Sequence, residues 1–439
     1  MKIAIISLGC PKNQVDADVY CHALLARGWQ TTADLGEADV ILVNTCGFIE
    51  SAKAESIEAI LGACAEKQDR DVKVIVTGCL AERYKEELAE SIPEVDAVVG
   101  MGSNADLVAI VERAVAGSAQ QQCYGPKSDL PLGGSRIIGT PNHFAYLKIS
   151  EGCDNKCFYC AIPGIRGPLR SRPMEDILTE ARWMAEEGVK EIVVVAQDVT
   201  AYGDDLGENR IAQLLRELDR VEGIEWIRLL YAYPERITDD FIDAMAQSRH
   251  IVHYLDMPIQ HINDRVLKSM NRKGDRATIE SAVARLRTAM PDITLRTTLL
   301  VGYPGETEAE YEELCEFVKT ARFERLGCFA FSAEEGTVAE RMPNQLPEEL
   351  RQQRADAVMQ LQTGIMAENQ AALVGKVITV MCDDYDPEED LFICRSAADA
   401  PDIDALCYVK SEQTLEAGGM YRIRVEESDV YDLYGELTE

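Results

Sequence analysis

The stretch Glu151-Gly152-Cys153-Asp154-Asn155-Lys156-Cys157-Phe158-Tyr159-Cys160 places three thiols at the spacing C-x3-C-x2-C, directly after an apolar run, Phe144–Ser150. Thiolates are the preferred ligands of iron–sulfur clusters. A four-iron cluster has four corners, so three cysteines leave one iron open. An open metal position can bind and activate a small molecule, as a closed one cannot. The bland alternative is a zinc site or buried structural thiols. Zinc usually takes a fourth ligand, often from a second C-x2-C or a His pair, and none follows here.

Three more cysteines sit at matched places: Cys10 in Leu8-Gly9-Cys10-Pro11-Lys12-Asn13, Cys46 in Asn44-Thr45-Cys46-Gly47, and Cys79 in Thr77-Gly78-Cys79-Leu80. The elements around them explain the match. Across residues 1–118 strand and helix alternate: strands at Ile3–Ser7, Val40–Val43 and Val72–Val76, helices at Val15–Leu25, Glu50–Ala65 and Glu82–Glu90. Short β-branched runs alternating with helices predict a parallel sheet covered on both faces. Each of the three cysteines then lies just past the carboxyl end of a strand, the edge where open α/β sheets place ligands. The neighbouring glycines allow tight turns and close approach. The pattern points to ligation by all three. A single cysteine is more often a small buried hydrophobe. That reading applies to Cys21, Cys64, Cys123, Cys315, Cys328, Cys382, Cys394 and Cys407.

Residues 119–139 have the Gly, Pro and Gln composition of a linker. From 140 to 370 the alternation repeats about six times. After the run at Phe144 come strands at Ile192–Ala196, Trp226–Tyr231, Val252–Met257, Ile293–Leu299 and Leu326–Phe331, with helices such as Met174–Glu187, Ile211–Val221 and Glu308–Ala321 between them. A parallel (βα)6 sheet curled into a partial barrel is expected, with its chemistry at the strands' carboxyl ends. Gln197, His261 and Gly302 fall at such ends. Gly302 and Gly305 fit either a tight turn or a close approach of backbone to a ligand. A lone histidine such as His261 is more often structural. Arg296 has the fork that suits a carboxylate, and an ordinary ion pair explains it equally well. Pro347–Val374 reads as one long connecting helix. From 375 to 439 four short strands, Val377–Met381, Leu391–Arg395, Ala405–Val409 and Tyr421–Ser428, predict a small antiparallel β-barrel.

The whole chain of 439 residues is long enough for two or three domains, and its 46% hydrophobic content allows a sizeable core. No apolar run of about eighteen residues appears, so no transmembrane helix is expected and no membrane partner. The start, Met1–Ser7, is too short and too soon broken for a signal peptide. Fourteen cysteines in a chain expected in the cytoplasm favour metal ligation over disulfides. The net charge of −32 argues against a general nucleic-acid binder. In the last segment five basic residues face seventeen acidic ones, which repels phosphate and attracts a basic protein.

The C-x3-C-x2-C segment, with Tyr159 before its last cysteine, resembles the motif of the radical S-adenosylmethionine enzymes. That resemblance implies a [4Fe-4S] cluster on Cys153, Cys157 and Cys160. Its open iron would be chelated by S-adenosylmethionine, from which a 5′-deoxyadenosyl radical is released. It also suggests cofactor contacts from Tyr159, Gln197, Arg296 and Gly302. The motifs around Cys10, Cys46 and Cys79 resemble the amino-terminal domain of the methylthiotransferases, where three such cysteines hold a second [4Fe-4S] cluster. So do Asp256–His261, Gly302–Thr307 and Phe331–Thr337. The terminal barrel resembles the TRAM domain. In fold terms the resemblance implies an α/β chain: a parallel amino-terminal domain, a radical S-adenosylmethionine core and a TRAM barrel. The three-part order, the six motif cysteines and the acidic tail together resemble the branch of the family that modifies an aspartate β-carbon of small-subunit ribosomal protein twelve, which implies formation of 3-methylthioaspartate. That chemistry takes its electron from a donor such as flavodoxin or ferredoxin. The runner-up is a methylthiotransferase of tRNA adenosine, for which a basic barrel is expected. A reading from another class is a two-cluster electron carrier, which would need four protein ligands per cluster.

Overall fold

Val40–Thr45 and Lys73–Gly78 are buried along nearly their whole length, as strands inside a parallel sheet must be. The computed structural model, which describes residues 1–438, sets them at the centre of the first sheet. Its strands are β1 (Lys2–Ser7), β2 (Gln30–Thr31), β3 (Val40–Thr45), β4 (Lys73–Gly78), β5 (Ala97–Val99) and β6 (Gln121–Cys123), in the order β2-β1-β3-β4-β5-β6. Every pair in it is parallel. Two apolar clusters, one around Ile41, Val43, Ile60 and Val76, the other around Ile3, Leu24, Leu42 and Ile110, form its core.

The chain continues into β7 (Phe144–Lys148) and then a two-stranded ribbon, β8 (Ser150–Glu151) with β9 (Arg170–Ser171). Five more strands follow: β10 (Glu191–Val195), β11 (Trp226–Leu229), β12 (Ile251–Asp256), β13 (Thr294–Val301) and β14 (Arg325–Ala330). With β7 they form an open six-stranded sheet in sequential order, β14-β13-β12-β11-β10-β7. The ladders from β10 to β14 are parallel. This is the expected partial (βα)6 arrangement. The last five strands, β15 (Val377–Asp386), β16 (Leu391–Ser396), β17 (Cys407–Lys410), β18 (Met420–Ser428) and β19 (Leu433–Leu437), close into a barrel.

The chain divides into two compact units. One comprises Met1–Gly139, Lys148–Arg172 and Ser332–Glu340; the other Thr140–Leu147, Pro173–Phe331 and Arg341–Glu439. The first unit therefore contains all six motif cysteines. Among the described residues no helix is long and apolar enough to cross a membrane.

Four local differences from the sequence-based expectation have physical causes. The first helix begins at Pro11, four residues early, because proline at the first helical position loses no hydrogen bond there. The helix expected at Glu82–Glu90 is two, Cys79–Arg83 and Lys85–Ser91. Inside the supposed linker, Gln121–Cys123 pairs with β5 as an edge strand, which its polar composition concealed. The barrel gains β19, whose pairing with β17 is parallel, while its other ladders are antiparallel.

The barrel is fastened to the central sheet within the second unit by buried charge. Arg395 on β16 meets Glu191 of β10 at 2.6 Å and Asp383 at 2.7 Å. Glu191 also accepts from Arg228 Nε at 2.7 Å, and Arg325 pairs with Asp399. Burial works to raise the Glu191 pKa, and the two guanidiniums outweigh it and hold it below the usual range. Removing one partner of such a pair costs about 3–5 kcal/mol, because the other charge stays buried. Arg395→Met is therefore expected to lower stability by that amount, read as a lower denaturation midpoint. Arg395→Lys keeps the charge without the fork and recovers part of the loss.

Candidate functional site

Cys10, Cys46 and Cys79 follow β1, β3 and β4, three adjacent strands whose registers align Ser7 with Asn44 and Thr45 with Gly78. Neighbouring strands lie about 4.8 Å apart, so three such ends gather side chains at one edge. Two glycines let the turns close in. A Cβ on Gly9 would lie 2.6 Å from Cys46 Cβ and 2.8 Å from Cys46 Sγ; one on Gly47 would lie 2.8 Å from Leu80 N. Both contacts are shorter than any side chain tolerates. Asn13 ties the edge together. Its amide donates to Leu8 O and Thr45 O, its Oδ1 lies 3.7 Å from Cys79 Sγ, and its carbonyl accepts from Asn44. Cys10 is the N-cap of the helix Pro11–Leu25 and Cys79 opens the helix Cys79–Arg83. Helix amino termini favour a thiolate.

The second triad sits in one continuous loop. The ribbon β8–β9 pairs Ser150 with Ser171 and Glu151 with Arg170, so residues 152–169 leave and return at one point. Cys153 N donates to Gly167 O, and Cys160 N to Cys157 O, both at 3.1 Å. Cys153 and Cys157 are buried and Cys160 half-buried. A cavity of about 660 Å³ opens beside this loop. Lys156, Cys157 and Cys160 line one side; Glu82, Arg83 and Lys85, just beyond Cys79, line the other. No three His, Cys, Asp or Glu side chains among the described residues close on one point as a single ion asks. A cluster takes one thiolate per iron corner and needs no common point.

Between the triads lies a buried charge network that the sequence pattern did not reveal. Arg166 places Nη1 at 3.0 and 2.9 Å from the two Glu151 carboxylate oxygens and Nη2 at 2.6 Å from Asn13 Oδ1 and 2.9 Å from Asp16 Oδ2. Lys148 bonds Asp16 at 2.6 Å and Glu151 at 3.0 Å. Lys12, beside Cys10, is buried too. A signal was present: Lys12, Asn13 and Asp16 share one helix face, and Lys148 interrupts an apolar strand. Charged residues are almost never fully buried unless paired. Burial works to raise the Glu151 pKa, but Arg166 and Lys148 outweigh it and hold it down at about 2. Burial pushes the Cys79 thiol up to about 12, with Arg166 acting against it. At Cys10 burial also works upward, yet Lys12 and Arg166 prevail and lower it. The arrangement thus supplies thiols, helix amino termini and buried cations at one edge, a donor set that fits a thiolate-held cluster.

The remaining candidate residues have these places. Tyr159 is half-buried in the cysteine loop, and Gln197 follows β10. Arg296 donates to Asp256 at 3.0 Å and lies 3.5 Å from Asp404, the arrangement of an ion pair. Gly302 donates its N–H to Glu306, and the space a side chain would need is filled by Arg351. His261 is buried; its Nδ1 accepts from Asn263 N and its Nε2 lies 3.6 Å from Glu306.

Comparison with known proteins agrees with this layout. Residues 2–100 match the model of "Uncharacterized protein family UPF0004", residues 147–318 the "Radical SAM superfamily" and residues 374–438 the "TRAM domain". The chain is 44% identical over 445 residues to the ribosomal protein uS12 methylthiotransferase RimO of Desulfitobacterium hafniense, covering 100% of this chain and 99% of that one. It is 45% identical over 443 residues to the protein of the same name from Clostridioides difficile, with the same coverage. Among solved structures, the radical S-adenosylmethionine methyltransferase TsrM from Kitasatospora setae, with tryptophan substrate and a SAM analogue bound, matches at a TM-score of 0.58. It has 14% identity and covers 74% of this chain and 72% of that one, a likeness of fold.

The depressed pKa of Glu151 gives a pH signature. Its carboxylate contributes stability above its unfolded value near 4.5, and that stability is lost as pH falls through about 2. Thermal unfolding of the wild type is therefore expected to weaken steeply across that window. Glu151→Gln, destabilised by about 3–5 kcal/mol at neutral pH, should show a flatter acid limb. An unchanged acid limb would remove Glu151 from the account.

Proposed function

The chain belongs to the RimO methylthiotransferase family, and we propose that it adds a methylthio group to the β-carbon of an aspartate in ribosomal protein uS12, in the cytoplasm. The observation that carries this reading is the placing of both cysteine triads in one compact unit, where the elements that bear Cys79 and Cys160 wall the same cavity. In this reading Cys153, Cys157 and Cys160 hold one [4Fe-4S] cluster and Cys10, Cys46 and Cys79 a second. When bound, the former supplies the electron that releases a 5′-deoxyadenosyl radical from S-adenosylmethionine, and the latter carries the sulfur. No ordinary side-chain base removes hydrogen from an unactivated β-carbon at neutral pH, so that step belongs to a cofactor. The chain's own residues provide the ligand thiolates and the cations that make them available. Tyr159, within the loop, is proposed as a contact for S-adenosylmethionine. The reductant is proposed to be a small redox protein such as flavodoxin or ferredoxin.

The barrel supports a basic protein substrate over tRNA. Of its five basic residues, Arg395 is buried and paired with Asp383, and setting that pair aside leaves four bases against sixteen acids. Asp384, Glu388, Glu389 and Asp390 stand exposed at the β15–β16 hairpin. Such a face steers a basic loop and repels phosphate.

Two outcomes are expected. Cys157→Ala should abolish formation of 5′-deoxyadenosine and of product alike. Cys10→Ala should retain 5′-deoxyadenosine formation, lose methylthio transfer, and halve the iron content. Mass spectrometry of uS12 and tRNA offered together reads the product; methylthio groups on tRNA alone would sink the protein-substrate reading. Replacing Asp384, Glu388 and Glu389 together with lysine should lower kcat/KM for uS12 by about tenfold or more at low salt, an effect that shrinks as salt is added.

A further inference from the structure

Two buried polar side chains, Ser56 and Asn13, end on the cysteine-bearing turns of the first triad. Ser56 lies on the helix Glu50–Ala65 and is fully buried. Its hydroxyl accepts from Cys46 N at 3.0 Å and donates to Cys46 O at 2.9 Å, so the N–H and C=O of that cysteine meet one side chain. Asn13, also buried, joins the other turns. Its amide nitrogen donates to Leu8 O at 2.9 Å and to Thr45 O at 2.8 Å, and its backbone N–H donates to Cys10 O at 2.9 Å. Its Oδ1 accepts from Arg166 and faces Cys79 Sγ at 3.7 Å. Cys10 and Cys79 each follow a glycine in the left-handed region, with φ of 91° at Gly9 and 94° at Gly78, which bends the chain at the strand end. Cys46 follows Thr45 and has no such glycine before it. The hydroxyl of Ser56 holds that turn instead.

A buried polar group is stable only where its partners stand, because leaving it unmatched costs its whole desolvation. Here the partners are the turns that end three adjacent strands, so satisfying Ser56 and Asn13 fixes those turns relative to one another. We infer that Ser56 and Asn13 are the positioning residues of the Cys10–Cys46–Cys79 site: they hold its three turns in one frame before iron binds. Neither ligates iron; each acts through the backbone that carries a thiol. The inference rests on the two-cluster reading above. Ligands that are already ordered lose little freedom on binding, so a metal group is held more tightly. On loading, each thiol releases its proton to solvent, and Asn13 Oδ1 keeps Arg166 as its donor. Groups that orient metal ligands in this way account for about 10–100-fold in affinity.

The test isolates this site in the full-length chain by Cys153→Ala, Cys157→Ala and Cys160→Ala together. Iron and sulfide are loaded anaerobically, the reduced protein is checked for a four-iron signal by electron paramagnetic resonance, and iron release to a ferrous chelator is timed. On that background Ser56→Ala and Asn13→Ala should each release iron about tenfold faster or more. Ile60→Ala, one turn further along the same buried helix face, is the control. It removes apolar packing and lowers the denaturation midpoint, leaves the Ser56 hydroxyl in place, and should release iron at the parent rate. Parent-like release in Ser56→Ala or in Asn13→Ala would overturn the proposal. So would release from Ile60→Ala as fast as from Ser56→Ala at an equal denaturation midpoint, since Ser56 would then be structural alone. Should Asn13→Ala fail to fold, Ser56→Ala, which removes one oxygen atom, decides it. A parent triple variant with no four-iron signal would overturn the two-cluster reading itself, and the inference with it.

Discussion

The pairing of Arg166 with Glu151, in which one guanidinium nitrogen is shared between both carboxylate oxygens, is the interaction on which the site depends. Glu151 ends β8 at the foot of the cysteine loop, and Arg166 lies in the short helix on the loop's return. Their bond closes the loop a second time, above the β8–β9 ribbon. The same guanidinium reaches Asn13 and Asp16 on the helix that follows Cys10. One side chain therefore fixes the frame of both triads. Its burial is tolerable only because two carboxylates and an amide oxygen meet its donors, and a lone buried cation would cost far more than the fold's margin.

The two triads are built by different means. The first is assembled from three strand ends widely separated in sequence, so its geometry is as rigid as the sheet that carries it. Gly9 and Gly47 admit the close packing of that edge. The second is a contiguous loop, whose spacing alone sets which thiols can share a ligand. A loop can present a half-exposed Cys160 to a cavity, whereas Cys46 and Cys79 are buried. This division suits one site open to a small molecule and one held in a fixed field.

How much of this was legible in the sequence depended on what each residue had to satisfy. Strands β1, β3 and β4 declared themselves because β-branched runs buried on both faces leave a continuous apolar signal. The cysteines past them were readable because strand ends are where such sheets place ligands. β6 and β19 escaped because an edge strand and a closing strand need backbone pairing more than apolar side chains; Gln121 and Gln122 show no pattern at all. Arg166 escaped for another reason. It follows the motif by six residues, in Ile-Pro-Gly-Ile-Arg, and nothing local distinguishes it from a surface arginine. Its partners Asn13 and Asp16 lie about 150 residues away, so only the fold could join them.

Charge organises the molecule at two scales. Over the whole chain acid exceeds base, and the exposed β15–β16 hairpin concentrates the excess where water and salt screen it. Such charge is long in reach and weak in energy, suited to guiding an encounter. Inside the first unit buried acids and bases are matched, and Arg166 acts at short range on Cys10 and Cys79. There each charge is worth more, because little water intervenes. A protein whose surface attracts a basic partner must still hold anionic ligands within. Burying Lys148 and Arg166 in matched pairs with Asp16 and Glu151, away from the acidic surface, satisfies both demands in one chain.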